Sequence, residues 1–428
     1  MAQYIIKKQM ESNLKDKKLL IISSDSKDKG FVENAHDLGV YVIACDRYSD
    51  HNISPSKKIA DEAWDIDYNN FEEIAKKAKD AGVNGLIAGY GEDRVAAAAK
   101  ISEILGTPFY ATSKQIEFTR DKNAFKNACI KHGIKIPKSF DVNSEKTEIK
   151  FPVIIKPSDN GGRKGITICN RPEDFHDAIK YAKENSKNGE VVIEEYIKGI
   201  ELMAVYTLKD GEYSLSCLND KYLSEDPDGP TLCDVAMGPS RFLDKFMKEV
   251  DPAIKLLLKS INAKNGVANF QFIANEDGIF AFEMGYRVNG NDDWKTIERY
   301  NGINNIKMII NFSLTGNMGD DLKKDNPYFP EYATTLCGYI KAGTIGEIEK
   351  DGLKNIPNIY DIFFTKQVGS KIPEGHTNAK KTFLIKFTAK SLEQVSETIK
   401  KIQDNIKITD VNGNDMLLKK FDTDRLFK

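Results

Sequence analysis

The spacing of apolar residues changes character partway along the chain, and no single layer architecture satisfies both halves. From Leu19 to Gly106 short apolar runs alternate with amphipathic segments, the pattern of strands joined by crossover helices in a parallel sheet. Leu19-Leu20-Ile21-Ile22, Val40-Tyr41-Val42-Ile43 and Gly85-Leu86-Ile87-Ala88 read as buried strands. Phe31 to Leu38, Phe71 to Ala81 and Arg94 to Leu105 read as helices, the first ended by Gly39 and the last by Gly106. Lys122 to Lys131 is a further helix, followed by Gly133 and the Ile136-Pro137 step. Beyond Phe151 the strands become longer and hairpin-like: Val153 to Lys156, Gly165 to Cys169, Glu190 to Tyr196, Glu201 to Leu208, Ser214 to Leu218, Val267 to Ile273 and Gly278 to Met284. A stretch rich in Gly, Asn, Asp and Pro from Thr315 to Pro330 marks a boundary. After it come strands at Thr334 to Ile340 and Lys381 to Phe387, a helix with Leu392, Val395, Ile399 and Ile402 on one face, and a tight turn over 410–415. At 428 residues the chain is long enough for about three domains.

Charge and composition exclude several functions. Lys+Arg 62 against Asp+Glu 64 leaves a net charge of -2, so nothing global draws the chain to nucleic acid or an anionic membrane, and any phosphate site must be local. The first residues mix apolar with charged and lack the apolar core of a signal peptide. No apolar run approaches the roughly 18 residues of a membrane span. The cysteines at 45, 129, 169, 217, 233 and 337 form no C-x-x-C pair, and no histidines are spaced as a metal pair. Reduced, buried thiols in a cytoplasmic protein are the expectation.

The loop after the first strand, Ser23 to Gly30, lacks the G-x-G-x-x-G that lets a pyrophosphate approach a helix N-terminus, which argues against a nicotinamide or flavin enzyme. Without those glycines, Asp46 at the end of the second strand is a weak candidate for a ribose hydroxyl. Gly89-Tyr90-Gly91-Glu92-Asp93 sits at a strand's carboxyl end, where open α/β sheets collect ligands, and reads equally as substrate contact or ordinary turn.

Three later segments carry more chemistry. Phe151 to Ile168 joins an apolar strand ending in Lys156, a loop with Gly161, Gly162, Arg163 and Lys164, and a second β-rich run. Glycines admit phosphate oxygens to backbone N–H groups and the cations offset their charge, although the loop alone is equally a basic hairpin with no ligand. Val191 to Glu201 is a strand and a short link, Glu194-Glu195-Tyr196-Ile197, with Glu201 beyond it; backbone groups there could meet an adenine edge and the carboxylate a ribose. In the third, Gly266 to Ile273 and Ile279 to Asn289 are antiparallel strands and their extension, bringing Gln271 within reach of Glu283. A carboxylate there suits Mg²⁺ on nucleotide phosphates, and Arg287 follows four residues on.

In this order the three segments resemble the ATP-grasp superfamily, over nearly the whole chain. The resemblance implies α/β and α+β architecture: an N-terminal pre-ATP-grasp α/β domain (1–112), a two-subdomain ATP-grasp fold (113–316) and a small C-terminal α+β closing domain (317–428), similar to the biotin-carboxylase and amino-acid-ligase branch. It implies ATP and Mg²⁺ as cofactors. Lys122, Lys156, Gly161, Gly162 and Lys164 would hold phosphates, Glu194, Glu195 and Ile197 adenine, and Glu201 ribose. Glu283 would hold the metal with Gln271 and Asn289, and Arg287 is the catalytic arginine. Two positions depart from the family: its first metal carboxylate falls on the neutral Gln271, and its metal asparagine falls on Gly285, leaving Asn289 as a substitute oxygen. The implied activity is a carboxylate–amine ligase acting on small metabolites, amino acids among them, through an acyl phosphate, with no nucleic acid or membrane partner and a homodimer as the common state. The alternatives are a bicarbonate-activating carboxylase or carbamoyl-phosphate-synthase-like enzyme, and a non-catalytic ATP-binding module.

Overall fold

A computed structural model describes residues 14–23, 26–141, 149–158, 165–224, 232–374 and 380–428. Its N-terminal part is a parallel sheet of order β3-β2-β1-β4, built from β1 (Lys18–Ile22), β2 (Tyr41–Asp46), β3 (Glu62–Asp65) and β4 (Gly85–Ala88). The expected crossover helices are present as α1 (Lys29–Asp37), α2 (Phe71–Asp80) and α3 (Glu92–Leu105). Helix α3 is rich in alanine because Ala97, Ala98 and Ala99 are buried, where small side chains allow close packing. Gly39 and Gly106, just past α1 and α3, have φ of +73° and +70°, a left-handed turn that a side chain would oppose.

The second body is an eight-stranded sheet, order β13-β12-β9-β10-β11-β14-β18-β16. Its strands are β9 (Ile200–Lys209), β10 (Glu212–Leu223), β11 (Cys233–Gly238), β12 (Gly266–Asn275), β13 (Gly278–Gly285), β14 (Tyr332–Tyr339), β16 (Ile359–Phe364) and β18 (Lys381–Ala389). One sheet thus carries strands from both sides of residue 316. Helix Leu392–Asp404 packs on the β14/β18 end through Val395, Ile399 and Ile402. Around the turn over 410–415, Asp410 Oδ1 accepts from Asn412 N at 2.8 Å and Asn414 N at 2.9 Å.

Two strand assignments change. The strand expected at Ser214 to Leu218 runs on to Leu223, and Cys233–Gly238 is a strand that the pattern misses. The first deviation has a physical cause: Asn219, Asp220 and Lys221 are buried polar residues whose partners, Asp293, Ser240 with Arg241, and Glu201, lie on neighbouring elements. Alternation of apolar and polar residues signals a strand with one wet face, and here both faces are covered.

A smaller antiparallel sheet, β5-β8-β6-β7, stands apart, formed by β5 (Ser139–Phe140), β6 (Val153–Pro157), β7 (Thr167–Cys169) and β8 (Val191–Glu195), with helix Phe175–Glu184 on it. The N-terminal sheet and the β9–β13 part of the large sheet share one apolar core, which runs from Leu20 and Ile22 to Phe270, Phe272 and Tyr286. Among the described residues no helix is long and apolar enough to cross a membrane.

Candidate active site

Asp121 caps helix α4 (Lys122–Lys131) by accepting from Asn123 N at 2.9 Å and Ala124 N at 3.0 Å. That cap places Lys122 in the first turn and Lys126 one turn later on the same face. Glu194 of β8 is 2% exposed and receives two lysines: one carboxylate oxygen is ion-paired with Lys126, the other with Lys156 Nζ at 2.5 Å. The register explains the second contact, since Glu194 stands opposite Ile154 and Lys156 projects from the same face of β6 two residues on. Burial, reinforced by the charges of Lys126 and Lys122, pushes the Lys156 ammonium down to about 7, while Glu283 works the other way. Burial and the charge of Lys122 bring Lys126 down to about 8. The site therefore concentrates three lysines around one buried carboxylate, an arrangement a polyanion would relieve.

Past β8, Glu195 N donates to Lys138 O at 2.8 Å and Tyr196 N to Pro152 O at 3.1 Å. The Ile197 amide has no hydrogen bond among the described residues, although its side chain is buried. A free backbone donor beside an apolar wall is what the edge of a planar base requires.

Across the large sheet runs a chain of polar contacts. Lys221 Nζ pairs with Glu201 at 2.6 Å and donates to Gln271 Oε1 at 3.3 Å; Gln271 Nε2 in turn donates to Glu283 Oε2 at 3.0 Å. These contacts account for the neutral residue at 271. An amide can accept from a lysine at one end and donate to a carboxylate at the other, whereas a glutamate would set two anions against each other. Glu283 itself is exposed. Asn289 is not brought to it: Nδ2 donates to Asp293 at 2.6 Å and Oδ1 accepts from Asn291 N at 3.1 Å, so its amide holds the turn into helix Asp293–Asn301. The donor open to a cation is thus the Glu283 carboxylate, since the Gln271 oxygen is turned to Lys221; one carboxylate fits Mg²⁺, an ion that commonly takes one or two carboxylates and fills its shell with phosphate oxygens and water.

Arg287 follows β13 and donates from Nε to Glu92 Oε1 at 2.9 Å and from Nη1 to Val288 O at 3.1 Å. Glu92 opens helix α3, so the segment Gly89 to Asp93 reaches the arginine from the N-terminal sheet. A Cβ at Gly285 would lie 3.1 Å from Glu92 Oε1, so glycine there leaves room for the carboxylate. Tyr110 and Tyr286 fasten the same junction by donating to each other's backbone carbonyls, at 3.1 and 3.2 Å. Asp46, by contrast, is taken up internally: it is buried, ion-paired with Lys57 at 3.0 Å and bonded to Ser54. Gly161, Gly162, Arg163 and Lys164 lie outside the described residues.

Sequence reading missed Lys126 and did not single out Glu92 from its segment. Lys126 carried a usable signal, its position four residues after Lys122 on a helix; Glu92 carried none, because only packing of the two sheets shows what it meets.

The family model for the carbamoyl-phosphate synthase L chain, ATP binding domain, matches residues 121–307. The chain is 30% identical over 190 residues to the formate-dependent phosphoribosylglycinamide formyltransferase of Prochlorococcus marinus subsp. pastoris, covering 42% of this chain and 48% of the relative, about half of its length. In solved structures it is similar to the L-amino acid ligase from Bacillus licheniformis (TM-score 0.76, 17% identity, 92% of this chain and 99% of that one). It is likewise similar to the biotin carboxylase domain dimer of Hydrogenobacter thermophilus 2-oxoglutarate carboxylase in complex with MgADP, ADP and bicarbonate (TM-score 0.76, 20% identity, 94% and 91%). At these identities the structural likeness is one of fold.

Proposed function

We propose that this chain is an ATP-grasp enzyme, an ADP-forming ligase that joins a small-molecule carboxylate to an amine through an acyl phosphate. The observation that carries this reading is the convergence of Lys126 and Lys156 on the single carboxylate of Glu194, with the charge of Lys122 felt by both lysines, a cationic cluster that suits the phosphates of ATP. In this reading Gly161, Gly162 and Lys164 hold those phosphates, and the Glu195 carbonyl and Ile197 amide meet the adenine edge. The Glu201 carboxylate, already oriented by Lys221, accepts from ribose hydroxyls. Glu283 would hold Mg²⁺, joined by the Gln271 amide only with its oxygen turned from Lys221, and the ion would supply positive charge against the phosphates.

The acceptor's carboxylate oxygen attacks the γ-phosphorus, the bond to the β-phosphate oxygen breaks and ADP leaves. The amine nitrogen then attacks the acyl carbon, loses its proton, and the tetrahedral centre collapses with release of phosphate. Arg287 is the donor for the anionic oxygen of that centre, and Glu92 fixes the guanidinium's orientation. A homodimer belongs to the same reading, as does the division at residues 112 and 316.

A second reading, activation of bicarbonate, is favoured by the bicarbonate in the Hydrogenobacter neighbour. The test is incubation with Mg-ATP and pooled carboxylic acids and amines, with ADP measured and products weighed by mass spectrometry. ADP that needs both an acid and an amine supports the ligase; ADP with bicarbonate alone supports the second reading. ATP binding without ADP formation in any pool defeats both.

A further inference from the structure

We propose that a cavity between the C-terminal tail and strands β11, β14 and β18 is a second small-molecule site, one that takes an amphipathic monoanion: a carboxylate on a compact apolar body. Its volume is about 440 Å³, and Leu336, Tyr339, Phe383, Ile406, Leu417 and Phe421 form its walls. Small-molecule pockets commonly run from roughly 300 to 1,000 Å³ with mostly apolar walls and a few polar groups that orient the ligand. None of the residues read as the nucleotide site lines it.

The charges identify the class of ligand. Lys380, Lys419, Lys420 and Arg425 line the cavity against Asp234 and Asp422. Lys420 is held by Asp404 at 2.7 Å, and Arg425 donates to Leu223 O at 2.6 Å and lies over the Phe421 ring. Lys380 differs: its stem is covered, the residue being only 8% exposed, while its ammonium opens to the cavity with no hydrogen bond or ion pair among the described residues. An unpaired ammonium at the wall of a largely apolar cavity is positioned to meet an anion that enters it. A ligand carboxylate supplies the missing partner as a charge-assisted hydrogen bond, while the walls receive its apolar body. A single negative charge is enough, because Asp234 and Asp422 already offset part of the lining's positive charge.

A contact beside the cavity leads toward the candidate active site. Lys381, the next residue, sits over the Tyr339 ring at 5.8 Å and donates to Asn291 Oδ1 at 3.3 Å, four residues beyond Arg287. The bound anion is therefore either a substrate of the reaction or an effector of it, and both share this chemistry.

The test is calorimetric titration of the full chain, without nucleotide, using 3-phenylpropionate and hexanoate, with 3-phenylpropionamide as the uncharged control. Both carboxylates should bind saturably. The amide, and the carboxylates on Lys380→Met, should bind about tenfold or more weakly. Leu417→Trp should fill the cavity and abolish binding, while MgADP binding in both variants reports an intact fold. Consumption of the bound acid with ADP formation makes it a substrate; recovery of it unchanged makes it an effector, and either result keeps the site. Absence of saturable binding by both acids, or binding that neither variant weakens, overturns the proposal. The titration needs no ATP chemistry, so its failure is distinct from failure of the ligase reading.

Discussion

Raising the pH should weaken nucleotide binding in a way that Lys156 and Lys126 set. Their ammonium groups lie at about 7 and about 8 in the ligand-free site, chiefly through burial. Phosphate oxygens placed against them favour the charged forms and raise both values. Below about pH 6 both lysines are charged and binding takes up few protons; as the pH rises through 7 and 8, binding must first protonate them. MgADP affinity should therefore fall by roughly an order of magnitude per pH unit from pH 7 to 9, with uptake of about one to two protons per nucleotide at pH 8. Calorimetry in buffers of different ionisation enthalpy measures both numbers. Lys156→Met should remove the larger share of the slope, leaving about a twofold change between pH 7 and 8. The same depression means that the unfolded chain binds more protons above pH 7, so this contribution makes the ligand-free fold more stable as pH rises toward 10. An affinity flat from pH 7 to 9 with no proton uptake, or a full slope in Lys156→Met, would refute the reasoning.

Arg287→Ala should lower the rate of ADP formation about 100-fold or more while leaving MgADP affinity within a few fold, because the guanidinium serves the reacting centre; unchanged turnover would remove it from the mechanism. Gln271→Glu replaces the amide that donates to Glu283 at 3.0 Å with a second carboxylate, so the variant should melt lower than the parent without metal and regain the difference when Mg²⁺ is added. A melting point indifferent to Mg²⁺ would count against a cation at Glu283. Asp46→Ala leaves Lys57, whose side chain is fully buried, without one of its two carboxylate partners, and urea denaturation should show a loss of about 3–5 kcal/mol with nucleotide affinity kept in the folded protein.

What could be read without coordinates follows from what local sequence encodes. The βαβ order of the N-terminal part was legible because each strand is a short apolar run and each helix presents one apolar face, a periodicity that survives in one dimension. That Gln271 and Glu283 come within reach of each other was legible from two strands joined by one turn, but their direct pairing was not: the turn's register would set Gln271 opposite Phe282, and a bulge between Gln271 and Phe272 shifts it by one residue. The full length of β10 was not, because Asn219, Asp220 and Lys221 look like solvent-facing residues until their partners on other elements are known.

By itself the sequence determined the order of the elements, the lysines and carboxylates available for a nucleotide, and the absence of a global charge that would draw a polyanion elsewhere. Only the tertiary structure decided how those groups are shared. It placed Glu194 between Lys126 and Lys156, gave the Gln271 amide a lysine on one side and a carboxylate on the other, and brought Glu92 from the N-terminal sheet onto Arg287 over the gap left by Gly285. It also turned Asn289 and Asp46 inward, to a helix turn and to Lys57. The physical reason is range: propensity and periodicity act between neighbours in the chain, whereas charge pairing and close approach act between neighbours in space, and Glu92 and Arg287 are neighbours only once two sheets have packed.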